Sequence, residues 1–380
     1  MARTSPPERL ALDSVPGALM DCIQVNLGVL ADHHHGAGTS LRLGATLRLR
    51  WWTAQAGELP TVDPPLAEQL AEAEHLLGLR VRDRSRMTRG AMLRALREHG
   101  GTRYVVADSY AMPWLPYRGR RHMEHSFLLT AADDHWQITD AYRNETQWGA
   151  ATPGHWALSD DQLAGIDLAE VIDLEPVAAP KPAASFDGGA PDAFLAAYDA
   201  FPDRARALEQ LTVETWLLAR SRRLHAMFRA HAGRPVDEEH LRRWDHVVEQ
   251  TYLAHRRVAR GRAEPPGVLH RLGEALAADA TAFGDSAVAA GPGDGAGAFA
   301  PAGPDRALRL AVAGVVSAVL GVARQELLDG AAFDSFAAFS SFRLVEIVER
   351  VETELGVEFD ADELVPENLR QLDDLCRIAG

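Results

Sequence analysis

The sequence predicts a mixed α+β region at the start of the chain, followed by two all-helical regions. Short apolar runs typical of β-strands lie between residues 103 and 139, whereas apolar residues recur every three or four positions after residue 204. Two stretches rich in Ala, Pro and Gly, 175–192 and 286–304, lack this periodicity and are predicted linkers. The predicted domains are therefore 1–174, 193–285 and 305–380.

Composition narrows the class of protein. With 380 residues, of which 47% are hydrophobic, the chain is long enough for two or three domains. A formal charge of −15 argues against nucleic-acid binding. We expect a cytoplasmic protein without a membrane partner, because neither a membrane-length apolar run nor an apolar signal segment is present. Two distant cysteines, Cys22 and Cys376, do not suggest a disulfide framework.

Cys22 lies at or near the predicted start of a helix, because Ile23, Leu27 and Leu30 follow it at helical spacing. The positive end of a helix dipole lowers the pKa of a thiol, and exposed backbone N–H groups there can hold an oxyanion. This position predicts a reactive cysteine. The alternative is a buried, inert thiol.

A β-hairpin is predicted to bring a histidine and an aspartate together. The predicted strands are Arg103–Ala107, Ser126–Thr130 and Trp136–Thr139. His125 opens the second strand and Asp140 follows the third, so a tight turn at 132–135 would bring their side chains to one end of the hairpin. Cysteine, histidine and aspartate form the set used by cysteine-nucleophile enzymes. His122 is a competing base, three residues before His125.

The middle region is predicted to be helical and is rich in arginine. Its predicted helices are Arg204–His231, Asp237–Arg262 and Gly267–Phe283. The arginines form either solvated faces or a docking surface for an acidic helix or for a phosphate-bearing group; they include Arg222, Arg223, Arg242, Arg243, Arg256, Arg257, Arg260 and Arg262. The His33–His35 triplet is typical of a solvent-facing loop, and no spaced Cys/His set predicts a metal site.

Ser341 opens an amphipathic helix that reaches Glu354, and Gly356 stands where this helix should stop. From the local pattern alone, the serine is either an N-cap or an attachment site. The segment from Arg306 to Ile378 carries seven Arg against fourteen Asp and Glu, so its net charge of −7 is about half of the chain's −15.

This segment resembles acyl and peptidyl carrier domains across nearly a whole four-helix module. The resemblance rests on "GVARQELLDGAAFDSFAAFSS", "SFRLVEIVERVETELGVEF" and "LVPENLRQLDDLCRI". It implies 4'-phosphopantetheine on Ser341, with a phosphopantetheinyl transferase and an acyl- or aminoacyl-loading enzyme as partners. The family usually has Asp where this chain has Ser340. Ser335, in a literal Asp-Ser-Phe, is rejected because using it would lengthen the helix by six residues.

Residues 15–174 resemble the N-terminal domain of the butirosin biosynthesis acyltransferase family, which has a papain-like fold. The resemblance rests on "DCIQVNLGVL", "VVADSYAMPW" and "HSFLLTAADDHWQITDAY". It implies that Cys22 is the nucleophile, that His125 is the base and then the acid, and that Asp140 orients the imidazole.

The first region also departs from the papain-like pattern. Pro16 stands where such peptidases often keep an oxyanion-binding glutamine, and Gln24 or backbone N–H groups are the substitutes considered. Asp108 and Tyr110 are candidate pocket residues, although Asp108 is equally suited to cap a turn.

Both resemblances imply the same chemistry. The butirosin-type family moves an acyl group from a carrier-protein thioester to an amine, and a carrier-like segment lies in the same chain. We therefore expect an acyltransferase of specialised-metabolite biosynthesis with a small-molecule amine acceptor. The alternatives are a thioesterase that uses the same residues, and a non-catalytic carrier scaffold.

Overall fold

A computed structural model describes residues 9–55, 57–284 and 306–379. Its contacts divide the chain into two compact units, each assembled from separate segments. The first unit lies within Met1–Arg48, Asp63–Asp187 and Arg220–Val236, and the second within Leu49–Val62, Gly188–Ala219 and Asp237–Gly380. The predicted linker 286–304 lies outside the described residues.

The first unit is built on a six-stranded antiparallel sheet with the strand order β2-β9-β3-β4-β5-β8. Its strands are β2 (Leu79–Thr88), β3 (Thr102–Asp108), β4 (Glu124–Ala131), β5 (Trp136–Asp140), β8 (Gly154–Leu158) and β9 (Leu168–Pro176). Two small pairs accompany it: β1 (Thr46–Arg48) with β10 (Ser185–Asp187), and β6 (Asn144–Thr146) with β7 (Gly149–Ala151).

The central strands are buried, and this explains their sequence. Val105, Phe127 and Ile138 have no exposed surface, so the apolar runs in β3, β4 and β5 supply the core. The predicted strands are confirmed with slightly longer bounds. The register pairs Ala107 with His125 and Leu128 with Thr139, which brings the start of β4 and the end of β5 to the same end of the sheet.

Three helices belong wholly to the first unit: α1 (Gln24–His35), α2 (Leu66–Glu72) and α3 (Arg89–His99). Residues 25–32 of α1 are all buried, which makes α1 a core helix of the unit. Glycine at position 78 ends the turn after α2 at a φ of 69°, a conformation that favours glycine.

The second unit is helical. Its helices in the middle of the chain are α4 (Pro191–Asp199), the first part of α5 (Arg204–His231), α6 (Glu238–Ala259) and α7 (Val268–Phe283). They enclose a core that contains Phe194, Leu208, Trp244 and Leu272. The three predicted helices of this region are confirmed to within three residues at each end.

The C-terminal segment forms α8 (Arg306–Leu320), α9 (Arg324–Leu328), α10 (Ser341–Leu355) and α11 (Leu372–Ala379), with short 3-10 turns between them. Its core includes Val316, Phe333, Ile347 and Leu375. Helix α10 begins at Ser341, and Gly356 follows its end in the left-handed region, as the sequence predicted.

The C-terminal segment belongs to the same compact unit as α6, whereas the sequence predicted separate domains 193–285 and 305–380. Leu253 of α6 is part of the C-terminal core, and the ring centroids of Tyr252 and Phe342 lie 4.7 Å apart. Sequence periodicity identifies an apolar face but not its partner, so this contact was not predicted.

Four arginines near the end of α6 contact two glutamates of α10. Glu349 pairs with Arg256 at 2.9 Å and Arg260 at 2.7 Å, and Glu352 pairs with Arg257 at 3.0 Å and with Arg262. These arginines therefore do dock an acidic helix. Other members of the predicted set do not: the buried Arg222 belongs to the first unit, and Arg242 pairs with Glu239 of its own helix.

None of the helices formed by the described residues is long and apolar enough to cross a membrane.

Candidate active site

Cys22 lies two residues before α1 and against the start of β4. Its Sγ is 3.4 Å from the carbonyl oxygen of Glu124, and its own carbonyl oxygen accepts a hydrogen bond from the hydroxyl of Ser126. The two residues that contact Cys22 therefore flank His125 in the chain. Tyr104 of β3 donates to the carbonyl of Ile23 at 2.7 Å, which further holds this segment to the sheet.

The Cys22 thiol does not have the lowered pKa that the sequence predicted. Burial raises its pKa well above the ordinary value, and the negative charges of Asp21, Asp63 and Asp140 raise it further. The helix begins at Gln24, two residues after the cysteine. The lowering of the pKa that a helix N-terminus can cause is outweighed here by desolvation. Cys22 is therefore a protonated thiol at neutral pH.

Asp21 occupies the backbone donors at the start of α1. Its Oδ1 accepts from the N–H of Ile23 at 2.8 Å and from the N–H of Gln24 at 2.7 Å. These are two of the N–H groups that the sequence offered for holding an oxyanion. Since a carboxylate already takes them, only the N–H of Cys22 itself, which lies against its own Sγ, remains from this turn.

His125 and Asp140 meet as predicted and are buried. Nε2 of His125 is 2.7 Å from Oδ2 of Asp140, and the two residues are 0% and 1% exposed. An ionised carboxylate only accepts hydrogen bonds, so Nε2 carries the proton. Nδ1 of His125 is buried and has no hydrogen-bond partner among the described residues. In the neutral ring this nitrogen is the basic one.

Four hydrogen bonds hold the Asp140 carboxylate. Besides His125, Trp114 donates to Oδ2 at 3.0 Å, while Asn26 at 3.1 Å and the N–H of Tyr142 at 2.9 Å donate to Oδ1. Burial alone would raise the pKa of Asp140, but its interaction with His125 and the hydrogen bonds from the N–H of Tyr142 and from Asn26 lower it below the ordinary value. Asp140 therefore stays ionised and keeps the imidazole in one orientation.

The competing base, His122, belongs to a separate and exposed group. Its Nδ1 is 2.5 Å from Oδ2 of Asp108, and its ring stacks on Tyr110 with centroids 4.2 Å apart. Oδ1 of Asp108 accepts from the N–H of Tyr110, so Asp108 does cap the turn after β3. Asp108 lies opposite Glu124 in the sheet register, which places this group beside the strand end that contacts Cys22.

Gln24, the third predicted pocket residue, is half-buried at the first position of α1. Its side-chain oxygen accepts from the N–H of Asp21 at 3.4 Å.

Sequence analysis missed several buried polar residues of the site. Asn26 of α1 donates to Ser126 and Asp140 and accepts from the N–H of Ala141, so it joins the cysteine helix to both strands of the hairpin. Asn26 lies one helical turn beyond Cys22 inside an otherwise apolar run, and a polar residue at such a position could have indicated its role from the sequence. Arg220 of α5, about 200 residues away in sequence, gave no such signal.

Arg220 joins the segment before Cys22 to the segment after Asp140. It donates to the carbonyls of Gly17 and Met20, to the carbonyl of Arg143 at 3.0 Å and to Oδ1 of Asn144 at 3.2 Å. Helix α5 was predicted as part of a separate helical domain, yet from Arg220 onward it belongs to the first unit.

The start of α10 resolves the role of one serine. Ser340 is the N-cap, and its hydroxyl accepts from the N–H of Arg343 at 3.3 Å. Ser341 is the first helical residue. Ser335 lies in a 3-10 turn six residues earlier and donates to the carbonyl of Ala332.

The second cysteine, Cys376, is a core residue of the C-terminal segment. It is 1% exposed, and burial raises its pKa to about 11. No cluster of three or more His, Cys, Asp or Glu side chains among the described residues is arranged to hold a metal ion.

The arrangement combines a buried thiol with an oriented imidazole on adjoining elements. Such a set can attack a carbonyl carbon and move the thiol proton to the leaving group. In comparisons with known proteins, no protein-family model matches the chain, and no curated protein sequence is significantly similar to it.

Proposed function

We propose that the chain is an acyltransferase that moves an acyl or aminoacyl group from a phosphopantetheine thioester on its own C-terminal segment to an amine. The observation that carries the proposal is the buried pair of His125 and Asp140, 2.7 Å apart, on a strand that contacts Cys22 on both sides of His125. In this proposal the first unit is papain-like and the C-terminal segment is a four-helix carrier domain. The reaction would serve specialised-metabolite biosynthesis in the cytoplasm.

When attached to Ser341, phosphopantetheine would supply a terminal thiol that presents the acyl group as a thioester. The residues around this position fit the group. Ser340 caps α10 in place of the aspartate usual in carrier domains, and Ser and Asp are equally effective N-caps. The helix start that a transferase must recognise is therefore kept, although the carboxylate charge is not.

In the first step, Sγ of Cys22 would bond to the acyl carbon while the carrier sulfur leaves. His125 would accept the thiol proton at Nδ1 and pass it to the departing sulfur, and Asp140 would hold the proton on Nε2. Because burial keeps Cys22 protonated, removal of the proton accompanies the attack rather than preceding it. One thioester replaces another, so the main requirement is positioning.

In the second step, an amine would attack the acyl carbon on Cys22. His125 would take a proton from the amine nitrogen and return one to Sγ as the thiol leaves. The amide is released and Cys22 is regenerated as the thiol. The same residues would give a thioesterase if water replaced the amine.

The first experiment is mass spectrometry of the intact protein and its peptides after incubation with coenzyme A and a broad-specificity phosphopantetheinyl transferase. We expect a mass gain in the wild type and in Ser335→Ala, and none in Ser341→Ala. Ser340→Asp keeps the cap and restores the family's charge, so we expect it to be modified at least as fast as the wild type. Wild type and Ser340→Asp both left unmodified would contradict the carrier assignment.

The second experiment follows the acyl group. The transferase loads the chain from acetyl coenzyme A, and a panel of amines is then added to the wild type and to Cys22→Ala. We expect amide from the wild type only. Free acetate at a rate independent of the amine would indicate a thioesterase, and equal release by Cys22→Ala would indicate a non-catalytic scaffold.

A further inference from the structure

The attack by Cys22 creates a negative oxygen that needs hydrogen-bond donors, and the usual donors of this fold are absent or occupied. Position 16 is proline, which has no side-chain donor, and Asp21 takes the N–H groups of Ile23 and Gln24. The N–H of Cys22 supplies one donor. A second donor must come from another element of the first unit.

Two buried tyrosine hydroxyls lie beside the catalytic residues. Tyr142 follows Asp140 by two positions, and its ring packs edge-on against His125 with centroids 5.1 Å apart. Its hydroxyl is 3.4 Å from that of Tyr117. Tyr142 is 2% exposed and Tyr117 is 5% exposed, so bulk water does not compete for these groups.

One of the two hydroxyl hydrogens of Tyr117 and Tyr142 has no acceptor among the described residues. The two hydroxyls have two hydrogens, and only one of them is used in the bond that joins the oxygens. No acceptor among the described residues takes the other. A buried donor without a partner is costly unless a ligand uses it.

The neighbouring residues occupy part of the acceptor capacity of this pair. Arg220 donates to Oδ1 of Asn144, which orients the amide so that its nitrogen donates to the hydroxyl oxygen of Tyr117 at 3.1 Å. This bond uses one of the two acceptor sites of the Tyr117 oxygen, and either tyrosine can donate to the other across the 3.4 Å between their oxygens. When Tyr117 donates, the hydroxyl of Tyr142 keeps its own hydrogen for another acceptor.

The electrostatic surroundings keep both hydroxyls protonated. Burial raises the pKa of Tyr142 well above its ordinary value and also raises that of Tyr117. A negative charge on Cys22 would raise both pKa values further, whereas the positive charge of Arg220 lowers them. Protonated phenols are donors, as an oxyanion requires.

We propose that the Tyr142 hydroxyl donates a hydrogen bond to the oxyanion formed when Cys22 attacks a carbonyl, and that Tyr117, Asn144 and Arg220 are positioning residues for it. The inference rests on the proposed function, because it assigns the donor for that reaction. Tyr142 thus replaces the glutamine that papain-like peptidases carry before the cysteine.

The test compares two reactions of the same thiol in the full chain. S-acetylpantetheine acylates Cys22 through an oxyanion, whereas iodoacetamide alkylates it by displacement at a saturated carbon and forms none. Peptide mass spectrometry separates Cys22 from Cys376. We expect Tyr142→Phe to slow acylation about 10²- to 10³-fold, the effect of losing one oxyanion donor, and to leave the alkylation rate near that of the wild type.

Three variants complete the test. Tyr198→Phe removes an equally buried hydroxyl in the second unit and should leave both rates unchanged. Asn144→Leu should slow acylation less than Tyr142→Phe does, because it loosens the donor without removing it. Gln24→Leu removes the competing side-chain donor and should slow acylation less than Tyr142→Phe does.

The outcomes separate the two proposals. Normal acylation by Tyr142→Phe would overturn the assignment, and so would an equal loss of acylation and alkylation, which would mean a structural role. Strong slowing by Gln24→Leu with normal Tyr142→Phe would move the role to Gln24. Failure of the wild type to acylate at Cys22, with normal alkylation, would instead contradict the proposed function.

Discussion

Removal of the Cys22 thiol from solvent affects its pKa more than the helix that follows it does. Burial raises the pKa of the thiol, and the helix begins too late to compensate. His125 has a buried basic nitrogen, while Asp140 stays ionised because four donors hold it. In the proposed mechanism the proton donor, the proton acceptor and the orienting charge are three different residues, and the reaction does not require a thiolate in the resting state.

The pH dependence of alkylation tests this account of Cys22. Because the pKa is raised, the thiolate fraction is low at neutral pH, and the rate with iodoacetamide should keep rising above the ordinary cysteine pKa of about 8.5. Asp21→Asn removes the nearest negative charge and should shift the curve to lower pH. Asp134→Asn, at an exposed turn position, should not. A wild-type curve that levels off below pH 8 would disprove the raised pKa.

At the scale of elements, α6 and α10 are joined by a charged contact in a buried setting. Arg257 and Glu352 are each 5% exposed, and Arg257 also donates to the carbonyl of Phe359. Two buried charges that satisfy each other contribute little net stability, but removal of one leaves the other unpaired. We therefore expect the pair to specify which face of α10 meets α6.

Single substitutions should reveal this dependence. Arg257→Leu is expected to lower the free energy of unfolding by up to about 3 kcal/mol, because Glu352 loses its buried partner and keeps only the more exposed Arg262 and the N–H of Phe359. Arg257→Leu with Glu352→Leu should recover much of the loss. Arg242→Ala, which breaks an exposed pair within α6, is the control and should change little. Denaturant unfolding measures these proteins together with the single variant Glu352→Leu, and additive losses in the double variant would show that the pair is not coupled.

At the scale of the whole molecule, the proposed donor and nucleophile belong to one polypeptide. A covalent connection sets an effective concentration that does not depend on how much protein is present. We therefore expect acyl transfer from Ser341 to Cys22 to follow first-order kinetics, with a rate constant unchanged by tenfold dilution.

A complementation experiment distinguishes transfer within a chain from transfer between chains. Loaded Cys22→Ala protein, mixed with unloaded Ser341→Ala protein, can react only between molecules. This mixture should be slow and should accelerate with concentration. A rate equal to that of the loaded wild type would show that the carrier segment serves a second chain.

The sequence alone determined the local structure and the candidate triad. Helical periodicity located α5, α6, α7 and α10, since a buried face must recur at the helical repeat. Two adjacent predicted strands joined by a short turn predicted that His125 and Asp140 meet, because a hairpin is a local structure whose register follows from its turn.

Only the tertiary structure decided features that join distant segments. The raised pKa of Cys22, the anchoring of Asn26 and Arg220, and the contact of α6 with α10 arise between residues up to 200 positions apart. No local pattern encodes them, because desolvation and hydrogen-bond partners depend on which surfaces pack together. For the same reason the proposed orientation of the Tyr142 hydroxyl depends on Tyr117, Asn144 and Arg220, which are distant in sequence and are brought together by the fold.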